Sequence, residues 1–301
     1  MTLFTAVLNR IAPRFRTFGQ WSNVYDEILS TRPICPKTMA NRRNSLGHLR
    51  KELSDAVIRD IRPHRIAQIV RHLHTTHPHT ARRVLIEAKD CFSEAVAYGW
   101  ADTNPAAPVK HLPTPISRKR LKLDDWRLIH AFASKNLPPW VSHMLVLAIV
   151  TGQRRADLGA MRFQDVHDGH LHVIQDKTGV RLRLPLALRL DALDITLGEA
   201  IEHCAAYAKG SDFIIRKHNG QPLALASLSA RFETAREGAL GMHQGSGAPP
   251  SLHECRSLSE RLYRAQGIDT RTLLGHKRQQ MTDVYNDLRG LDAGEWKTLI
   301  L

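Results

Sequence analysis

Six side chains are of types that could act together on one substrate: Arg154, Lys177, His253, Arg256, His276 and Tyr285. They sit in the segments TGQRRADL, QDKTG, HECRSLSERLYRAQG, LLGHK and VYND. Singly, each has an ordinary reading. Arg154 reads as a helix-end arginine facing solvent, Lys177 as a solvated charge at a turn, and Tyr285 as a packing tyrosine. His253 and Arg256, at i and i+3, share one helix face as many such pairs do, and His276 follows a glycine helix stop. Taken in order, however, the set offers two guanidinium clamps, an ammonium proton donor, two imidazoles and a phenol.

That combination suits in-line attack on a phosphodiester. Arginine forks hold two non-bridging oxygens and stay charged, so Arg154 and Arg256 suit the charge that grows on phosphorus in the transition state. Tyr285 would attack phosphorus and leave a 3′-phosphotyrosine. A free phenol ionises near pH 10, so a base must help, and His253 is the first candidate. The departing 5′-oxygen needs a proton, which Lys177 on a hairpin can deliver. No carboxylate cluster accompanies these residues, which speaks against a two-metal mechanism. No metal and no cofactor is expected, and resealing needs no ATP because the bond energy stays in the phosphotyrosine.

Composition agrees with a polyanionic partner. Forty-three Lys and Arg stand against 29 Asp and Glu, a formal net charge of +14 before any of the 17 histidines is protonated. Cys35, Cys91, Cys204 and Cys255 show no C-x-x-C spacing, so neither a zinc site nor a disulfide framework is expected. No apolar run approaches membrane-spanning length and no export signal is evident, which points to a soluble cytoplasmic protein.

The elements that must position these residues fall in two parts. From residue 18 to 104, apolar residues recur at helical steps in WSNVYDEIL, PKTMANRRNSLGHLRKEL, PHRIAQIVRHLH and TARRVLIEAKDCFSEAVAYGW. Residues 105–119 carry Pro105, Pro108, Pro113 and Pro115 and read as an extended linker. At about 3.3 Å per residue it could reach on the order of 40 Å, enough for two domains to clasp a duplex. Residues 120–301 open on a helix favoured by Asp124 and Asp125. An apolar helix, a hairpin around KTG, and helices over 191–207, 226–238, 253–266 and 270–274 follow. The tract HLHTTHPH, His72 to His79, reads as a loop. The fold class is therefore mainly α: a helical domain plus a mixed α/β domain, mostly helical with a small antiparallel sheet.

The same motifs, with MTDVYNDLRG and the final EW, resemble the tyrosine recombinases, the phage integrase family, in its lambda-type branch. The likeness extends over nearly all the chain after about Phe18. It implies a catalytic set of Arg154, Lys177, His253, Arg256, His276 and Tyr285, with Asp157 bracing an arginine and His276 hydrogen-bonding the scissile phosphate. It also implies a site-specific recombinase that acts as a homotetramer on paired double-stranded core-type sites. Strands would be exchanged through a Holliday junction to integrate or excise DNA, in the bacterial cytoplasm and with accessory DNA-bending or excision-directing proteins as possible helpers. For the helical domain the resemblance places Lys37 and Asn41, one helical turn apart, against bases, with Arg231 as the candidate from the second domain. Arg42 and Arg43, with Arg82, Arg83 and the basic run 118–120, are phosphate candidates, though each also reads as a solvated surface charge.

Only about 17 residues precede the first helical domain, too few for the N-terminal domain by which lambda-type integrases grip arm sites. Action on simple core-type sites is therefore expected. An invertase- or resolvase-like recombinase and a catalytically idle DNA-binding prophage remnant are the alternatives. The tail 286–301 ends in Trp296, Leu299, Ile300 and Leu301, an apolar group expected to pack on a neighbouring protomer.

Overall fold

In the computed structural model the described residues are 15–114, 118–207, 210–242 and 247–286. The apolar tail from Trp296 and the segment before Phe15 lie outside them. The chain divides into two compact units, Met1–Ile116 and Ser117–Leu301.

Among the described residues the first unit contains four α-helices: α1 (Phe18–Thr31), α2 (Pro36–Leu53), α3 (Pro63–Thr76) and α4 (Pro78–Ala97). Their starts are written locally. Thr17 and Gln20 form a reciprocal capping box ahead of α1, and α2, α3 and α4 each open on a proline, whose missing N–H costs nothing in a first turn. Trp21, Tyr25 and Leu29 of α1 meet Leu46 and Leu49 of α2, Ile66 of α3 and Val84, Leu85 and Phe92 of α4 in one core. The His72–His79 tract is helical, not a loop. It finishes α3 and begins α4 with a break only at His77, because proline is at home in a first helical turn.

Much of the proline-rich stretch also belongs to this unit. Ala106 is fully buried, Val109 and Leu112 pack on the same core, and the carbonyl of Pro113 lies 2.7 Å from Nε2 of His74.

The second unit centres on α6 (Pro139–Thr151), apolar on almost every side, which α5 (Leu123–Asn136), α8 (Leu197–Tyr207), α9 (Leu225–Leu240) and α10 (Glu254–Ala265) surround. After α6 come the short α7 (Arg155–Ala160) and an antiparallel sheet of order β1 (Val166–His167), β2 (His170–Ile174) and β3 (Arg181–Pro185). Leu171 pairs with Leu184 and Val173 with Leu182, which puts the apolar faces of β2 and β3 against the core. The hairpin tip spans residues 175–180, with Gly179 at φ +66°.

Two helix boundaries differ from those expected. The helix expected from Asp191 starts at Leu197, because β4 (Arg189–Leu190) and β5 (Ile195–Thr196) pair around a short 3-10 turn and Asp194 adopts φ +53°. The helix expected over 226–238 starts one residue earlier and runs to Leu240, with Ala224 at the cap position. Two short helices, α11 (Thr270–Leu274) and α12 (Gln279–Asp283), are the last elements among the described residues. Among the described residues no helix is long and apolar enough to cross a membrane.

Candidate active site

Arg154 enters the site because α6 ends sharply. Gly152 takes φ +62° in the left-handed region, and a Cβ there would lie 2.9 Å from Oγ of Ser259. The chain turns, and Arg154 becomes the residue before α7. Its backbone N–H donates to Oδ2 of Asp157 at 3.3 Å, and Nη1 donates to Oε1 of Gln175 at 2.9 Å. Asp157 is 2% exposed, and its other oxygen accepts the N–H of Asp176 at 2.9 Å. The carboxylate thus braces the backbone of Arg154 and fixes the start of the lysine-bearing turn.

Arg256 lies on the first turn of α10, 1% exposed. Nη1 donates to the carbonyl of Gly152 at 2.7 Å and Nη2 to that of Leu274 at 2.6 Å, while Nε has no partner among the described residues. Burial and the charge of Arg154 pull its guanidinium down to about 10, so it is still charged at neutral pH. A buried, under-partnered cation beside a second arginine is an environment that an anion stabilises.

The two imidazoles flank the phenol. Tyr285 follows α12 and is half-buried, its carbonyl held by the hydroxyl of Ser257 at 2.7 Å. Its ring stacks on His276, centroids 5.4 Å apart, and Cζ of Arg256 lies 5.6 Å from its centroid. Its hydroxyl is 3.5 Å from Nε2 of His253. His253 keeps a solvent-exposed edge. Desolvation by the protein around its ring, followed by the charges of Arg256, Arg118, Arg154 and Arg120, pushes it down to about 4. His276 is 8% exposed and is also pushed down to about 4, by burial and then by Arg256 and Arg154. Both rings are therefore neutral near pH 7, and His253 offers a lone pair to the phenol.

The structure brings Arg154, Asp157, His253, Arg256, His276 and Tyr285 into one connected cluster. Lys177 stands at the exposed tip of the hairpin and makes no hydrogen bond to a described residue. Reading the sequence missed three supporting side chains, Gln153, Gln175 and Thr282, and assigned a fourth, Arg120, to phosphate, whereas it is buried against a carboxylate. Gln153 and Gln175 knit the turn at Arg154 to the loop before His276. Thr282 bonds His276, and Arg120, 4% exposed, pairs with Glu254 and donates to the carbonyl of Val284 beside the tyrosine.

Among the residues expected to meet DNA, Lys37 and Asn41 are exposed on α2, and Arg231 is exposed on α9. Asn41 borders a polar groove with Asn44, His48, Lys51, Thr80 and Arg83. Arg42 is placed otherwise. Its guanidinium is taken up by Glu87, Asp90 and the hydroxyl of Tyr25 inside the first unit, because a buried carboxylate needs a cation close by. Arg43 bonds Asp26 and Ser30.

Comparison with known proteins gives a consistent result. The Phage integrase family matches residues 119–290, and the Phage integrase central domain matches residues 22–112. The integrase of Escherichia phage HK022 is 37% identical over 278 residues, covering 91% of this chain and 76% of that protein. A lambda integrase dimer bound to a COC′ core site superposes with a TM-score of 0.87 at 35% identity, over 95% of this chain and 100% of that one. A lambda integrase tetramer bound to a Holliday junction also gives 0.87, at 34% identity, over 99% of this chain and 84% of that one.

Proposed function

The chain belongs to the phage integrase family, and we propose that it is a site-specific tyrosine recombinase that integrates or excises DNA through a 3′-phosphotyrosyl intermediate at Tyr285. The observation that carries this reading is the position of the Tyr285 hydroxyl, 3.5 Å from a neutral His253 within a cluster of arginines. At that distance the contact is at the outer limit of a hydrogen bond and must shorten when substrate binds.

A scissile phosphate enters against Arg154 and Arg256, whose charges it offsets, and the basicity that those charges remove from His253 is partly restored. His253 takes the phenolic proton as Tyr285 oxygen bonds to phosphorus. The P–O5′ bond breaks, and the 5′-oxygen takes a proton from Lys177 as the hairpin closes. The reverse sequence, with a different 5′-hydroxyl attacking, reseals the strand. Asp157 keeps Arg154 in place through its backbone.

The DNA partner is double-stranded core-type sequence, read in part by Lys37 and Asn41 on α2 and by Arg231. By analogy with the lambda structures, dimers on single sites join as a tetramer on paired sites. The work is done in the bacterial cytoplasm, at the nucleoid.

The test uses duplexes from the gene's own flanks, each nicked near a candidate position so that the released strand diffuses away. Wild type is expected to form a covalent protein–DNA adduct in EDTA without ATP, and Tyr285→Phe none. DNA binding with no adduct on any duplex would point to an idle DNA-binding protein and overturn the reading.

A further inference from the structure

Gln175 is 1% exposed, and all four hydrogen-bonding positions of its carboxamide are used. Oε1 accepts from Nη1 of Arg154 at 2.9 Å and from Oγ1 of Thr178 at 2.8 Å. Nε2 donates to Oε1 of Gln153 at 2.8 Å and to the carbonyl of Leu274 at 3.0 Å. That carbonyl also accepts from Nη2 of Arg256, two residues before His276. One side chain thus touches Arg154 directly, reaches the lysine turn through the residue next to Lys177, and shares an acceptor with Arg256.

The surroundings are shaped to keep it there. Gly275 sits at φ +65°, and a Cβ on it would lie 2.9 Å from both the oxygen and the nitrogen of the Gln175 carboxamide. The glycine therefore answers two demands, a left-handed backbone and the close approach of this amide.

We propose that Gln175 is a positioning residue that locks the phosphate-clamping Arg154 and the turn carrying Lys177 into a single unit, so that phosphate binding and leaving-group protonation are set together. This rests on the recombinase reading above. Holding Nη1 of Arg154 from behind leaves the rest of its guanidinium for the phosphate. Holding Thr178 fixes the turn from which Lys177 must deliver its proton to the 5′-oxygen as the P–O5′ bond breaks.

The full chain is assayed for single-turnover adduct formation on the nicked duplex, and on the same duplex with sulfur replacing the bridging 5′-oxygen. A thiolate leaves without a proton, so sulfur repairs a fault at the lysine and not one at the arginine. Gln175→Ala is expected to slow cleavage of the oxygen substrate by about tenfold to a hundredfold, as when an orienting partner is lost, with DNA affinity unchanged. The sulfur substrate should recover only part of that loss. Thr178→Val, at an exposed position, should slow cleavage of oxygen and not of sulfur, and it decides the matter if Gln175→Ala does not fold. Wild-type rates for both variants overturn the proposal, as does a loss matched by weaker DNA binding or a Thr178→Val defect that sulfur leaves in place. No adduct with wild type on either substrate would instead overturn the recombinase reading itself.

Discussion

Nη2 of Arg256 lies 3.2 Å from Nε2 of His276, and Nδ1 of the same imidazole lies 2.9 Å from Oγ1 of Thr282. Arginine can only donate, so Nε2 is the acceptor and the ring proton of the neutral histidine sits on Nδ1. In this state His276 has no proton to give a phosphate from Nε2. It acquires one if phosphate draws the Arg256 N–H away and the ring is reprotonated or changes tautomer. Until a phosphate arrives, that N–H of Arg256 is committed to the imidazole.

That arrangement is measurable. Nitrogen NMR of the free protein at pH 7 should show His276 neutral with its proton on Nδ1, and addition of a nicked duplex should move it toward the protonated form. A free protein with the proton on Nε2 would contradict the geometry. Thr282→Val should leave Nδ1–H buried without its acceptor, a cost of about 1–3 kcal/mol in urea unfolding with a slower cleavage rate.

The acid side of the pH profile follows from the two imidazoles. Their folded values, near 4, lie below the usual histidine value, so between about 6.5 and 4 the unfolded chain binds more protons. Stability that is fully present above 6.5 is therefore lost as pH falls through that window. The free enzyme keeps His253 able to accept a proton throughout it. At subsaturating DNA, adduct formation measured in short assays should hold from pH 8 to near 5, and an acid limb centred at 6.5 would show that neither burial nor the arginines depress His253.

The DNA-facing assignments separate by one residue. Arg42 is committed to Glu87, 4% exposed, and to Asp90 and Tyr25, whose phenol burial and those carboxylates push far above its usual value. Arg42→Ala should cost about 3 kcal/mol of stability, the low end for breaking a buried pair, with little change in the salt dependence of DNA binding. Asn41→Ala should do the reverse, weakening binding to the preferred site about tenfold while the unfolding midpoint stays put. Parallel unfolding and gel-shift titrations decide, and a loss of affinity in Arg42→Ala without a loss of stability would return that residue to the DNA surface.

These cases show what the residue order reveals. The clustering of Arg154, His253, Arg256, His276 and Tyr285 was legible because their chemistry is rare in combination, and Arg154 and His276 also follow glycine breaks at Gly152 and Gly275. The hairpin under Lys177 was legible from alternation, and the same alternation held an unused clue. Leu171, Val173 and Gln175 all point inward, and a glutamine on a buried face must be fully bonded. Arg42 misled because nothing local distinguishes an arginine for phosphate from one for Glu87, which lies on another helix and is 45 residues away. The helix expected from Asp191 failed for a similar reason, since the β4–β5 pairing that displaces it joins residues whose short runs carry no clear period.

The last prediction concerns the charge pair behind the nucleophile. Arg120 and Glu254 are each 4% exposed, with Nη1 and Oε2 3.0 Å apart, and Nη2 of the arginine holds the carbonyl of Val284, one residue before Tyr285. Lys119, beside Arg120, donates its backbone N–H to Ala248, so the entry to the second unit and the tyrosine segment are both tied to this strand of chain. Removing the carboxylate alone takes the Glu254 counter-charge away from a buried guanidinium. Glu254→Ala should therefore cost about 3–5 kcal/mol in denaturant unfolding, whereas the double change Arg120→Met with Glu254→Leu should cost far less, since no buried charge then remains. Cleavage should separate the two forces in the opposite sense: the double variant loses the bond to Val284 and should form adduct more slowly at full DNA occupancy despite its better stability. Equal stability losses in the single and double variants would mean that packing, and not the buried charge, sets the cost.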